Sequence, residues 1–127
     1  MIKKEIIGLM SGTSLDGLDI VHVQFGIENN VVSYTIKACV TIPYDSDILD
    51  ELNTVHSMEL SKAQLLDKKI GLFYSAKVNA FITENKIDKK NIEAIASHGQ
   101  TILHQPENGF TYQIGCGSTL AYNTGIP

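Results

Sequence analysis

The sequence predicts an α/β fold: a mixed sheet that opens with a three-strand antiparallel meander and is flanked by helices. Three observations predict it. Residues 5–42 form three β-branched, apolar stretches parted by short turns; a long helical pattern follows; a short apolar run then comes after that helix. At 127 residues, 43% hydrophobic and 19% charged, the chain has apolar side chains enough for one core, so one domain spanning 1–127 is expected.

Each element has its own signal. Residues 5–11 read as a strand ending in the tight turn Gly12-Thr13-Ser14-Leu15-Asp16-Gly17. Residues 18–26, with Leu18, Ile20, Val21, Val23 and Phe25, suit a strand antiparallel to the first, and Asn29-Asn30 turns the chain into a third at Val31–Ile42. A short helix is expected from Asp45 to Asn53. Ser61 and Gln64 have capping-box spacing, so a second helix is expected to begin there. Leu66, Ile70, Phe73, Ala76 and Ala80 then share one helical face running to about Asn85, with Lys68, Lys69, Lys77 and Glu84 on the solvated side. Ala94–Ser97 is short and apolar enough for a buried strand parallel to the first. Residues 102–105 and Phe110–Ile114 read as further strands, and Thr119–Asn123 as a helix.

Charge and cysteine content exclude several functions. Ten Lys and Arg against fourteen Asp and Glu leave a net charge of −4, without the cationic surface of a nucleic-acid binder. The apolar run Ile6–Met10 is too short for a signal-peptide core or a membrane span, so a cytoplasmic location and no membrane partner are expected. Cys39 and Cys116 make neither a metal-binding pair nor a disulfide framework.

Two segments carry candidate chemistry. In Gly12–Gly17, glycines at both ends allow close backbone approach to a ligand, and successive amides can face one anion. Thr13 and Ser14 add hydroxyls, while Asp16 and Asp19 offer hard oxygens for Mg²⁺, directly or through water. The same residues also suit an ordinary hairpin turn that satisfies itself. The second segment, Ser97-His98-Gly99-Gln100-Thr101 with His104 beyond, follows a strand end, where open α/β sheets place ligands. Gln100 and Thr101 offer donors and acceptors for a sugar, and His98 is either an acid/base or a structural hydrogen-bonder. Cys116 reads as a packing thiol, and His22 and His56 as surface or packing residues.

The element order resembles the opening of the ribonuclease H-like fold, the actin-like ATPase lobe shared by actin and the hexokinases. The motifs are more specific. Ile7-Gly-Leu-Met-Ser-Gly-Thr-Ser-Leu-Asp-Gly-Leu-Asp19, Ala96-Ser-His-Gly-Gln-Thr101 with His104 and Pro106, Tyr112-Gln-Ile-Gly115, Leu120-Ala121 and Thr124-Gly125 together resemble the anhydro-N-acetylmuramic acid kinase family. The resemblance implies a cytoplasmic enzyme of peptidoglycan recycling. Such an enzyme uses ATP and Mg²⁺ to open 1,6-anhydro-N-acetylmuramic acid with water and phosphorylate it, giving N-acetylmuramic acid 6-phosphate. It implies ATP binding by Gly12, Thr13, Ser14, Leu15, Asp16, Gly17, Leu18 and Asp19, with Asp16 assisting the metal through water. It implies sugar contacts from Gln100, Thr101 and His98.

Family members are longer. The resemblance therefore implies that this chain is the N-terminal lobe of a two-lobed kinase, inactive alone, with a substrate-binding Arg and the catalytic Asp beyond Pro127 and no catalytic residue within the chain. The alternative is a non-catalytic sugar-binding or interaction module of the same fold, whose bare apolar surface would favour a homodimer. A two-metal nuclease is disfavoured, because the first strand ends Gly-Leu-Met-Ser without an acidic residue.

Overall fold

β1 (Ile2–Ser11), β2 (Leu18–Glu28) and β3 (Val31–Ile42) run antiparallel, each to the next, in a computed structural model that describes residues 1–127. β4 (Ile92–Ser97) lies parallel to β1 on its other side, so the mixed sheet has the order β3-β2-β1-β4. Between β3 and β4 come α1 (Ser46–Thr54) and the long α2 (Leu60–Glu84). β5 (Gln100–Gln105) and β6 (Phe110–Ile114) form a separate antiparallel hairpin, and α3 (Gly117–Thr124) ends the fold. The Pro127 carbonyl accepts from the Ile95 amide of β4 at 2.7 Å.

The core sits between one face of the sheet and α2. Alternate residues Ile7 and Leu9 of β1, and Leu18 and Ile20 of β2, cluster with Leu66, Ile70, Tyr74, Val78 and Phe81 of α2. Truncating any of these to Ala would cost about 2–5 kcal/mol. α2 departs from the expected stripe in one respect: Leu66, Ile70 and Phe73 are buried, but Ala76 and Ala80 are exposed, and the buried surface continues through Tyr74, Val78, Phe81 and Ile82. The reason is that α2 packs on two sides. Ser75 donates weakly to the Thr119 carbonyl and Asn79 to the Asn123 carbonyl, which lays α3 along a second flank. The helix also begins one residue before Ser61, with Glu59 in the N-cap position and no side-chain cap, so no capping box forms.

β4 is less buried than its composition suggested. Only Ile92 is buried, because no element covers its outer face. On the same open side of the sheet, Val32, Tyr34 and Ile36 of edge strand β3 are 62%, 69% and 56% exposed. Of the two readings of His22, surface or packing, the second holds: it is buried, and its Nε2 lies 2.8 Å from the Glu5 carboxylate. No helix is long and apolar enough to cross a membrane.

Candidate functional site

The turn after β1 is held from below and open above. Its only internal backbone bond runs from the Leu15 amide to the Gly12 carbonyl, 3.2 Å, so the amides of Thr13, Ser14, Asp16 and Gly17 have no acceptor within the chain. Leu15 sits in the left-handed region at φ 58°. Gly17, at φ 154°, runs so close to β3 that a Cβ there would lie 2.5 Å from the Ile42 carbonyl oxygen; any other residue would displace the strand. Ser14 Oγ donates to Asp16 at 3.0 Å, and Thr41 Oγ1 donates to Asp19 at 2.5 Å. Asp16 and Asp19 are both exposed on the turn side, while Leu18 is fully buried in the core.

The second segment is more compact than expected. β5 begins at Gln100, so only His98 and Gly99 separate β4 from β5. Gly99 makes this reversal at φ 73°, where an added Cβ would meet the Ile114 carbonyl at 2.7 Å. The His98 amide donates to Leu9, binding the reversal to β1.

These two segments frame one cavity of about 460 Å³ lined by Thr13, His98, Thr101, His104, Thr111 and Gln113, all polar. The β5–β6 register accounts for the last two: Thr111 and Gln113 alternate along β6, and an irregularity between Thr101 and Leu103 sets His104 opposite Thr111 while Thr101 lies opposite Gln113. Gln113 Nε2 is 3.3 Å from Thr101 Oγ1 and 3.1 Å from His98 Nε2. His98 Nδ1 is 3.3 Å from the Gly99 carbonyl, which can only accept. A proton on Nδ1 would satisfy that carbonyl and leave Nε2 to accept from Gln113. Across the hairpin, His104 Nδ1 and Thr111 Oγ1 are 2.8 Å apart. Thr111 and Gln113 were not singled out as site residues from sequence. The signal that could have found them was the two-residue alternation of the Phe110–Ile114 strand.

Gln100, expected to contact a sugar, is turned inward instead. It is 1% exposed, its Oε1 accepts from Ser11 Oγ, and its amide nitrogen donates to the Gly12 and Thr101 carbonyls at 3.4 and 3.2 Å. Burial leaves it no free polar group to offer a ligand; it joins the two segments from beneath. Behind it, Tyr44 Oη donates to Ser11 Oγ at 2.6 Å and lies 3.0 Å from Tyr74 Oη. Burial raises the pKa of both phenols, most strongly that of Tyr74, so both remain neutral donors. The Cys116 thiol, at the α3 N-cap, is held below its ordinary pKa mainly by the Ser118 hydroxyl and then by Thr119. Asp67 of α2 fixes the preceding loop, accepting from the Gly115 amide at 2.6 Å.

Comparison with known proteins gives a consistent result. A family profile described as anhydro-N-acetylmuramic acid kinase matches residues 4–127. The chain is similar to the protein of that name from Sulfurovum sp. (strain NBC37-1), 39% identical over 130 residues, covering 99% of this chain and 35% of the relative. It is also similar to those of Shewanella loihica (40% over 131 residues, 99% and 34% covered) and Acinetobacter baylyi (37% over 124 residues, 95% and 31% covered). The chain thus spans about a third of the length of the curated relatives it matches.

Proposed function

This chain belongs to the anhydro-N-acetylmuramic acid kinase family, and from that we propose that it forms the lobe of an ATP-dependent kinase that grips the nucleotide's phosphates and part of the anhydrosugar. The observation that carries the reading is the single polar cavity shared by Thr13 of the turn and His98 and Thr101 of the second segment. A kinase must bring a phosphate-binding loop and a hydroxyl-recognising surface to one place, and here they share a wall.

The turn's chemistry fits a nucleotide. Four amides without acceptors and the Thr13 hydroxyl are donors for phosphate oxygens, and the Ser14 hydroxyl would join them on leaving Asp16. The carboxylates of Asp16 and Asp19 would repel phosphates unless a cation stood between, which suits Mg²⁺ held by Asp16 through water. Magnesium-bound ATP would supply the transferable phosphoryl group and spread its charge. This chain's own contribution is positioning: the turn fixes the phosphates, while Thr101, His98 and Gln113 bind sugar hydroxyls and amide.

In this reading the β3-β2-β1-β4 sheet is the opening of a ribonuclease H-like, actin-like lobe, residues 1–127 are the first of two lobes, and the catalytic Asp belongs to the other. The whole enzyme would convert 1,6-anhydro-N-acetylmuramic acid to N-acetylmuramic acid 6-phosphate in the cytoplasm. The test is an amide-shift titration of this chain by NMR. Magnesium with a non-hydrolysable ATP analogue should shift Thr13–Gly17, and the anhydrosugar should shift Thr101 and Gln113. Unchanged shifts at millimolar ligand would overturn the reading.

A further inference from the structure

We propose that Tyr44 and Tyr74 are positioning residues: through Ser11 they orient the Gln100 amide so that it locks the Gly12–Gly17 turn to the start of β5. The functional meaning of this lock rests on the kinase reading of the cavity above it, though its geometry does not.

Hydrogen-bond bookkeeping makes the arrangement one-directional. Gln100 Oε1 can only accept, so Ser11 donates its single proton there. Ser11 Oγ in turn accepts from Tyr44, whose proton is then spent, so Tyr74 must donate to Tyr44. The relay runs from the middle of α2 out to the site. Its end dictates which way the Gln100 amide faces: the nitrogen meets the Gly12 and Thr101 carbonyls, one from each wall of the cavity. A reversed amide would set its oxygen against both.

The four side chains are 0–6% exposed, and the Tyr44 ring packs on Phe73 at 5.2 Å between centroids, with Phe73 next to Tyr74 at 6.4 Å. Phenylalanine at 44 and 74 would fill the same space without a hydroxyl to satisfy. Paired hydroxyls of this kind add little net stability over an apolar pair of equal shape. What they supply is orientation of a group at the site. Neither tyrosine lines the cavity.

The experiment compares Tyr44→Phe, the double variant Tyr44→Phe/Tyr74→Phe and Gln100→Glu in the 127-residue chain. Four quantities are read: urea midpoint, exchange of the Leu15 amide, ¹⁵N relaxation of Thr13–Gly17, and affinity for magnesium with the ATP analogue. Tyr44→Phe strands the Tyr74 hydroxyl and lowers the midpoint. The double variant removes both hydroxyls and should return the midpoint toward wild type, while Leu15 exchange stays about tenfold faster and analogue affinity about fivefold weaker. Gln100→Glu should keep the turn ordered at acidic pH, where the carboxyl can donate, and loosen it once ionised against two carbonyls. A double variant with wild-type Leu15 exchange and turn relaxation overturns the proposal, as does an exchange increase shared equally by the β2 amides of Val23 and Gln24. If the wild-type turn ignores the analogue, the kinase reading fails, and exchange and relaxation still decide the lock.

Discussion

The two ends of β1 handle buried polarity in opposite ways. At its C-terminal end, Ser11, Gln100, Tyr44 and Tyr74 are buried to within a few per cent, and every one is uncharged. Toward its N-terminal end, Glu5 accepts from Gln24 at 3.2 Å and lies 2.8 Å from His22, but the Glu5 side chain keeps 21% exposure beside a water-accessible hollow. The difference follows from desolvation. A hydroxyl or amide can be sealed away once it is paired, whereas a carboxylate loses far more solvation and must keep some water. The neutral cluster can therefore serve as a rigid underside to a site, and the charged one is a softer tie.

The largest effect that would break this contrast is at Gly17. Gly17→Ala drives a methyl into the Ile42 carbonyl and should cost roughly 3–5 kcal/mol in urea unfolding. If it costs under about 1 kcal/mol, the turn end is not rigid. Next, Gln100→Leu leaves Ser11 without its acceptor and should cost roughly 2–4 kcal/mol, with the turn amides shifted in the ¹H–¹⁵N spectrum. His22→Ala at the other end should cost less, roughly 1–2 kcal/mol, because Glu5 keeps Gln24 and can rehydrate. A cost equal to that of Gln100→Leu would erase the distinction between the two ends.

The smallest effect belongs to a partly exposed cluster of three charges. Lys69 bridges Asp47 at 2.7 Å and Glu51 at 2.5 Å, with its pKa pushed up to about 12 and that of Asp47 held down, chiefly by Lys69. A raised lysine stabilises below its unfolded pKa and loses that contribution as pH climbs toward about 12. A lowered carboxylate stabilises above its unfolded pKa and loses the contribution as pH falls through the folded value. Lys69→Met should therefore lower Tm slightly near neutrality, less so in high salt and not at all at strongly acid pH. A large, salt-independent drop would mean that burial, not charge, governs this contact.

Local pattern made much of this legible. β3 occupies the expected residues, Val31–Ile42, because β-branched and aromatic side chains between two turns leave few other options. The turn's glycines read as places for close backbone approach to a ligand; at Gly17, φ 154°, the close neighbour within the chain is the Ile42 carbonyl of β3. Boundaries were less legible. Ser61 and Gln64 have capping-box spacing, yet the helix starts at Leu60, since an N-terminus is also set by how the preceding chain packs. Ala76 and Ala80 looked like core because one-face periodicity assumes a single partner, and α2 has two.

What the sequence determined by itself is the family and the run of strands and helices, because motifs and periodicity are local in the chain. The tertiary structure alone decided that Gln100 faces inward, that Tyr44 and Tyr74 stand behind it, and that Thr111 and Gln113 complete the cavity. Those facts depend on which groups 30 to 89 residues apart meet across the core, and no spacing along the chain encodes them.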